Sequence, residues 1–590
     1  MKRKCIMRFG KKGTVGVLLF LFILLLSACD SGTPPAPQGA AASTKASPDK
    51  QVLIRPFVGT SDLSTLDPAL VQDANANRAV NMLYNGLFQV NDEGNVVGVL
   101  ASSYSVSADG LRWTFTLRSN LKFSDGSALT SRDVAYSLNR ALVVGAKSPY
   151  TTYAPGLIKD ADKLAAGQLK TIIGTSILTP DVQTVTIVTT KKAAYFPSML
   201  TYPAAYIVEK ALIDRYGKNF TDHLGEGGGS GPWIVSKYTH NQEIDFTPNS
   251  HYFGAKPLLR LIACPFYKVD ETAYRTYEAG KLSYAPVPVE QIAQAKQLAG
   301  NQYHQDPVLV TAYYTMNYLV RPFDNIKVRQ AFALALNKDQ IAANAYGGSV
   351  IATNHIVPQG TPGYNPKLTA PGGVKGTGGD PTLAKQLFDE GLHEEGLSAA
   401  DLPTITLTVS TGGLPDAQQE VALETQMWQS TLGVNIKVND IDYMKLLTAS
   451  QAATNNRKGL TFWSLGWVGY YPDPQDWLSI QFGRGTVNNN MNYGQNRATD
   501  AVQQQGVQQL LSQADSNMDA AQRLQQYMQA EQQLVNDVAW LPIYQQTNNY
   551  VLKPCVVGAT GNAFDVTPPD DWSKIYISTD AACADTSGYK

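Results

Sequence analysis

The sequence predicts a mixed α/β protein folded into more than one lobe. Three observations carry that expectation. The chain has 590 residues, and at about 100–200 residues per domain that is several packing units, too much for one core. Residues 112–118 (RWTFTLR) alternate strictly, with Trp113, Phe115 and Leu117 on one face, the period-2 pattern of a half-buried strand. Residues 405–438 read as strand, helix, strand with short links, a βαβ unit whose strands should be parallel and whose crossover should be right-handed. A β-meander and an α/β unit in one chain do not share a single layer. No internal repeat of 20–50 residues is present.

Charge excludes some functions. Lys plus Arg is 48 and Asp plus Glu is 49, a formal net charge of −1, which offers no electrostatic footprint for nucleic acid. Charged residues make up 16% and apolar ones 44%, a balance that argues against long disordered tails. Six His and five Cys in the whole chain exclude a disulfide-dense scaffold or a multi-zinc protein.

The first thirty residues point to a compartment. Lys2, Arg3, Lys4, Arg8, Lys11 and Lys12 precede an apolar run from Val15 to Leu26, followed by Ser27, Ala28 and Cys29. A basic start, a short apolar stretch and small residues before a break form a secretory signal segment, and the run is shorter than the roughly 20 residues a spanning helix needs. Leu26-Ser27-Ala28-Cys29 is similar to the bacterial lipobox, whose Cys is diacylated, so residues 1–28 are expected to be removed and Cys29 lipidated. Cleavage there takes six of the 48 basic residues and none of the 49 acidic ones, leaving a net charge of −7. Residues 29–50, rich in Ser, Ala, Pro and Gly, have the composition of a flexible tether. The mature chain is thus expected to be anchored to a membrane without spanning it. Of its cysteines Cys264, Cys555 and Cys583, the last two are the natural pair outside the cytoplasm; three unpaired thiols remain the alternative.

Along the mature chain, Asp109-Gly110 and Asp125-Gly126 are turn pairs flanking the 112–118 strand. Thr130-Ser131-Arg132-Asp133 reads as a variant capping box that opens a helix with Val134, Leu138, Ala141 and Leu142 on one face. Pro322-Phe323-Asp324 should stop one element and cap the next, a helix with Val328, Phe332, Ala335 and Leu336 at helical spacing. Ile405, Leu407 and Val409 alternate as a strand; Val421, Trp428 and Leu432 mark a helix over 416–432; and Val434, Ile436 and Val438 alternate again. Leu524, Tyr527, Met528, Leu534 and Val535 mark a long late helix with Glu531 as its polar intrusion.

Catalytic motifs are missing. There is no G-x-x-x-x-G-K-[ST] and no G-x-S-x-G, so neither a P-loop nor a nucleophile elbow is indicated. His393-Glu394 lacks a second His four residues on and reads as a solvated helix end. The glycines at 225, 227, 228, 229 and 231 lack the strand-to-helix context of an anion cradle and read as a flexible turn. No catalytic residue, metal ligand or cofactor site is expected.

Ordered blocks then carry a resemblance. They are Leu66-Asp67-Pro68 with Tyr84-Asn85-Gly86-Leu87, residues 101–142, GSGPW at 229–233, NSHYFG at 249–254, residues 317–341, GWVGYYPDPQDWL at 466–478 and AWLPIY at 539–544. Over nearly all of residues 50–580 the chain resembles the extracellular solute-binding protein family 5, the binding lipoproteins of peptide and nickel ABC importers. The resemblance implies a two-lobed periplasmic-binding-protein-like α/β fold with a hinge and an inserted subdomain. Lobe one would be 51–310 plus 545–590, with the insertion near 96–177, and lobe two 311–544. It also implies a monomeric receptor, not an enzyme, that captures a peptide or other small solute and delivers it to an ABC permease.

Residues 460–467 read as a strand, and ligands sit beyond the carboxyl ends of strands in open α/β sheets. Carried over by the resemblance, Trp467, Val468, Gly469 and Tyr470 would line the ligand pocket, with Gln72, Asp73 and Ala74 on the opposite wall. Peptide-binding members place an acid where this chain has Tyr470. A tyrosine carries no charge at neutral pH, so Asp73 or Asp473 would have to supply the counter-charge for a peptide's amine. Otherwise Trp467, Tyr470, Tyr471 and Trp477 could offer stacking faces to an oligosaccharide, the alternative ligand. Nickel is disfavoured by the scarcity of His. An extracellular hydrolase is the remaining reading.

Overall fold

The computed structural model describes residues 44–145, 155–496 and 500–589; the expected signal segment, Cys29 and most of the expected tether lie outside them. Three principal sheets organise the chain. In the first, Val52–Ile54 runs parallel to Leu261–Tyr267, which pairs antiparallel with Glu243–Pro248 and through it with Trp233–Thr239.

The second sheet is the expected meander. Ala101–Val106, Arg112–Leu117, Thr184–Val188 and Ile177–Leu178 lie side by side, all antiparallel. Trp113, Phe115 and Leu117 are buried as their alternation requires, and the first two register against Ile187 and Val185. Asp133 closes the capping box by accepting the Thr130 N–H at 2.8 Å, opening the helix Ser131–Val144. Its buried face is Val134, Leu138, Ala141 and Leu142, extended by Ala135. The sheet reaches Val188, beyond the 96–177 span expected for an insertion.

The third sheet has seven strands and contains the βαβ unit. Ile405–Val409 and Ile436–Asp440 are parallel, with Ile405 opposite Ile436, and the helix Pro415–Leu432 connects them. Phe462–Val468 runs parallel to Ile405–Val409 on one side and antiparallel to Tyr303–Met316 on the other. Tyr303–Met316 and Leu541–Leu552 pair along most of their length. Their register shifts between Pro307 and Thr311 and again between Ala312 and Tyr313. Pro307, with no N–H to give the ladder, sits where the pairing breaks.

Several expectations are corrected by tertiary context. Asn325, not Asp324, caps the helix Ile326–Leu334, accepting the Lys327 N–H at 2.9 Å. That helix ends before Leu336, because Asp380 N–H takes the Leu334 carbonyl at 2.8 Å and Asn337 already caps the next helix, Lys338–Tyr346. Of the glycine cluster at 225–231, Gly229 and Gly231 do not serve a flexible turn. A Cβ on Gly229 would lie 2.0 Å from the Leu83 carbonyl oxygen, and one on Gly231 would lie 2.3 Å from that of Met82. They are small because backbone meets backbone there.

Residues 44–50, which the sequence places in the expected tether, are held by the C-terminal segment. Ala46 N–H donates to the Ile577 carbonyl at 2.8 Å, Lys45 bridges to Ser578, and Pro48–Lys50 forms a 3-10 turn. The open edge beside Tyr576–Ile577 offers backbone groups that this segment satisfies. Cys555 and Cys583 form a disulfide with Cα atoms 5.5 Å apart, and Cys264 is free and buried. Closing a loop of 28 residues contributes about 3.5 kcal/mol in the chain-entropy model. Among the described residues no helix is long and apolar enough to cross a membrane.

Candidate functional site

A cavity of about 380 Å³ lies where six segments converge: the start of the helix Ala74–Leu83, residues 89–90, the stretch 201–206, the bend at Val308–Val310, the turn after Phe462–Val468 and the stretch 563–569. Each wall is fixed by backbone chemistry. Asp73 is the helix N-cap, its Oδ1 accepting the Ala76 N–H at 2.9 Å, while the Ser64 hydroxyl donates to Oδ2. Capping holds the carboxylate at the helix entrance, and Gln72, Asp73 and Ala74 are all exposed on the cavity wall.

Across from them, Val310 registers with Val468, and Gly469 N–H donates to the Leu309 carbonyl at 2.8 Å. A side chain at Gly469 would meet the Trp477 indole at 2.9 Å, so glycine is what lets the turn settle on the indole. Tyr470 N–H then donates to Asp476 Oδ2 at 2.6 Å. Asp476 is fully buried, and burial pushes its carboxyl well above the usual range despite the backbone N–H groups of Tyr470 and Tyr471. The Tyr470 ring stands edge-on to Trp467 at 5.3 Å and to Tyr202 at 6.3 Å.

The structure therefore brings six of the seven sequence-derived residues, Gln72, Asp73, Ala74, Val468, Gly469 and Tyr470, to one cavity. Trp467 is not on its wall. Successive strand side chains point to opposite faces; Val468 is exposed toward the cavity, and Trp467 packs half-buried against the core containing Leu309 and Trp477.

Asp473 is unavailable as a counter-charge. It is buried, its Oδ1 is paired with Arg523, and its Oδ2 accepts the Ser198 hydroxyl at 3.2 Å. Tyr471 and Trp477 cannot serve as stacking faces either, being 1% and 0% exposed. Tyr471 lies parallel to Tyr195 with ring centroids 6.5 Å apart.

Two carboxylates line the cavity, Asp73 and Asp565, and no Lys, Arg or His does. Asp565 is held by Arg55 at 3.3 Å and Arg78 at 3.4 Å. Asp73 has no salt bridge among the described residues, so it is the carboxylate a cationic group could engage. Tyr202, Phe564 and Asp565 were missed by sequence reasoning; 200–206 and 563–569 are irregular segments with no periodicity to flag them. Among the described residues no group of His, Cys, Asp or Glu is arranged to hold a metal.

The model of a protein family described as bacterial extracellular solute-binding proteins, family 5 Middle, matches residues 95–489. The periplasmic oligopeptide-binding protein OppA of Escherichia coli K12 is 26% identical over 518 residues, covering 87% of this chain and 90% of OppA. OppA of Salmonella typhimurium is 27% identical, with 93% and 96% covered. Among solved structures, the unliganded open form of the periplasmic murein tripeptide-binding protein MppA overlays with a TM-score of 0.77 at 24% identity, covering 91% of this chain and 99% of that one. Haemophilus influenzae OppA in complex with RPPGFSPFR overlays at 0.62 and 20% identity, covering 90% and 99%.

Proposed function

The chain belongs to the bacterial extracellular solute-binding proteins, family 5, and from that premise we propose that it is a receptor that captures peptides outside the cytoplasm and delivers them to an ABC importer. The observation that carries the reading is the two-walled cavity in which Asp73 has no cationic partner. A peptide brings a free ammonium, which is costly to desolvate unless a carboxylate meets it, and Asp73 meets it here where Tyr470 carries no charge. Main-chain groups of 468–470 border the ligand on the other side. Binding rather than catalysis is the activity.

Closure follows from the same geometry. Both expected lobe boundaries, 310/311 and 544/545, fall on adjacent strands where the pairing register shifts. We place the hinge there. A ligand touching both walls stabilises the closed arrangement and shifts a pre-existing equilibrium toward it.

Titration calorimetry of the mature chain against tri- to pentapeptides and, in parallel, oligosaccharides tests this reading. Saturable peptide binding is expected; binding of a sugar with no response to any peptide would contradict it. Lipidation at Cys29 would keep the receptor, a monomer, at the outer face of the membrane beside its permease. Cys29→Ala should then move the protein from the membrane fraction to the soluble one, and retention in the membrane fraction would mean that another segment anchors it.

A further inference from the structure

A second cavity, of about 200 Å³, adjoins the first, with Val310 lining both. Ser410 and Thr411 line it just beyond the carboxyl end of the strand Ile405–Val409, the place where ligands collect in α/β sheets. That space is enough for one long side chain.

Its chemistry is one-signed. Glu420 is the one carboxyl on its wall, and no Lys, Arg or His joins it there. Glu420 is 8% exposed, and its oxygen Oε2 accepts the Tyr346 hydroxyl, which lies 3.0 Å from that of Tyr544. One helical turn on, the fully buried Glu424 accepts the Tyr314 hydroxyl and has an oxygen, Oε1, with no partner among the described residues. The nearby buried ammonium of Lys338 is spent on the Thr353 carbonyl at 3.1 Å and on Asn354 Oδ1 at 2.5 Å. Five tyrosines, 313, 314, 346, 443 and 544, make up much of the remaining wall.

We propose that this cavity is a subsite for a cationic side chain, ammonium or guanidinium, carried by a ligand seated in the first cavity. The inference rests on reading that first cavity as a peptide site. A buried carboxyl with no cation on its cavity wall is stabilised in its charged form when one arrives, and tyrosine faces attract cations through their ring quadrupoles. An anionic group would face Glu420 with Glu424 behind it. An apolar group would leave Glu420 buried beside it with no counter-charge.

The test compares tetrapeptides of alanine carrying lysine or norleucine at each position in turn, titrated into the wild type and Glu420→Gln. At one position lysine should bind at least tenfold more tightly than norleucine. That preference should vanish in Glu420→Gln, with the norleucine affinity kept within twofold. No lysine preference at any position, or one that survives the substitution, would overturn the subsite. Because glutamine can still accept the Tyr346 hydroxyl, an unchanged unfolding midpoint is expected; Tyr443→Ala, at a half-exposed position, should independently reduce the preference severalfold. If no tetrapeptide binds, the peptide reading of the first cavity fails by itself. Titration with 1,5-diaminopentane alone then decides the subsite: saturation lost in Glu420→Gln upholds it, and no saturation overturns it.

Discussion

Replacing Asp473 with alanine should lower the unfolding free energy by about 3–5 kcal/mol, the usual cost of breaking a buried ion pair from one side. Asp473 and Arg523 are 5% and 8% exposed at their side chains. Asp473 also accepts the Gln475 N–H at 3.0 Å and so caps the turn Pro474–Trp477. Its removal strands the Arg523 guanidinium, which is left with the Tyr527 ring 4.9 Å away. Arg523→Met on its own should be costly for the mirror reason. The double replacement Asp473→Leu with Arg523→Met should recover much of the loss, since a buried pair replaced by apolar groups is often neutral. Urea unfolding measures all three, with the midpoint moving at constant slope. A single-variant loss below 1 kcal/mol would mean that the pair is hydrated. Tyr470 lies three residues before Asp473, so the single variant should also bind ligand more weakly.

The second large effect is on affinity. Asp73→Asn keeps a good N-cap for the helix Ala74–Leu83, because asparagine accepts the same N–H group, and stability should hardly change. The charge is lost, however, and a desolvated ion pair broken from one side costs about 2–5 kcal/mol. At 1.4 kcal/mol per decade, a loss at the lower end of that range is a fall of about 30- to 100-fold in affinity for peptides with a free amino terminus. N-acetylated peptides should bind the wild type weakly and the variant equally weakly. Calorimetry across the four combinations isolates the coupling. If acetylated and free peptides suffer alike, Asp73 holds the wall in shape without meeting an ammonium.

What could be read from the chain was what local periodicity encodes. The 112–118 strand, the capping box at Thr130 and the βαβ unit over 405–438 each stand on residues a few positions apart, and each is present where its pattern lies. The two cavity walls at 72–74 and 468–470 were reachable because their motifs resemble a family that uses those segments. Groups whose meaning depends on a distant partner were not reachable. The late helix reads as Leu524, Tyr527 and Met528, yet Arg523 and Tyr527 turn inward and Leu524 is half-buried, because Asp473 supplies a counter-charge from fifty residues away. Glu420 and Glu424 share the face of the helix Pro415–Leu432 that carries Val421, Trp428 and Leu432, but the hydroxyls that meet them belong to Tyr346 and Tyr314 on other elements. Aromatic type did not distinguish the cavity residue Tyr470 from the core residues Tyr471 and Trp477. Only the turn around Asp476, which fixes which ring faces which way, separates them.

The most direct measurement is native mass spectrometry of the mature protein as purified, before and after mild unfolding. Bound species separated by amino-acid residue masses, displaced by an added free-amine peptide and retained poorly by Asp73→Asn, are expected of a peptide receptor. Hexose-spaced masses, or a bare protein that takes up none of the added peptides, would contradict it.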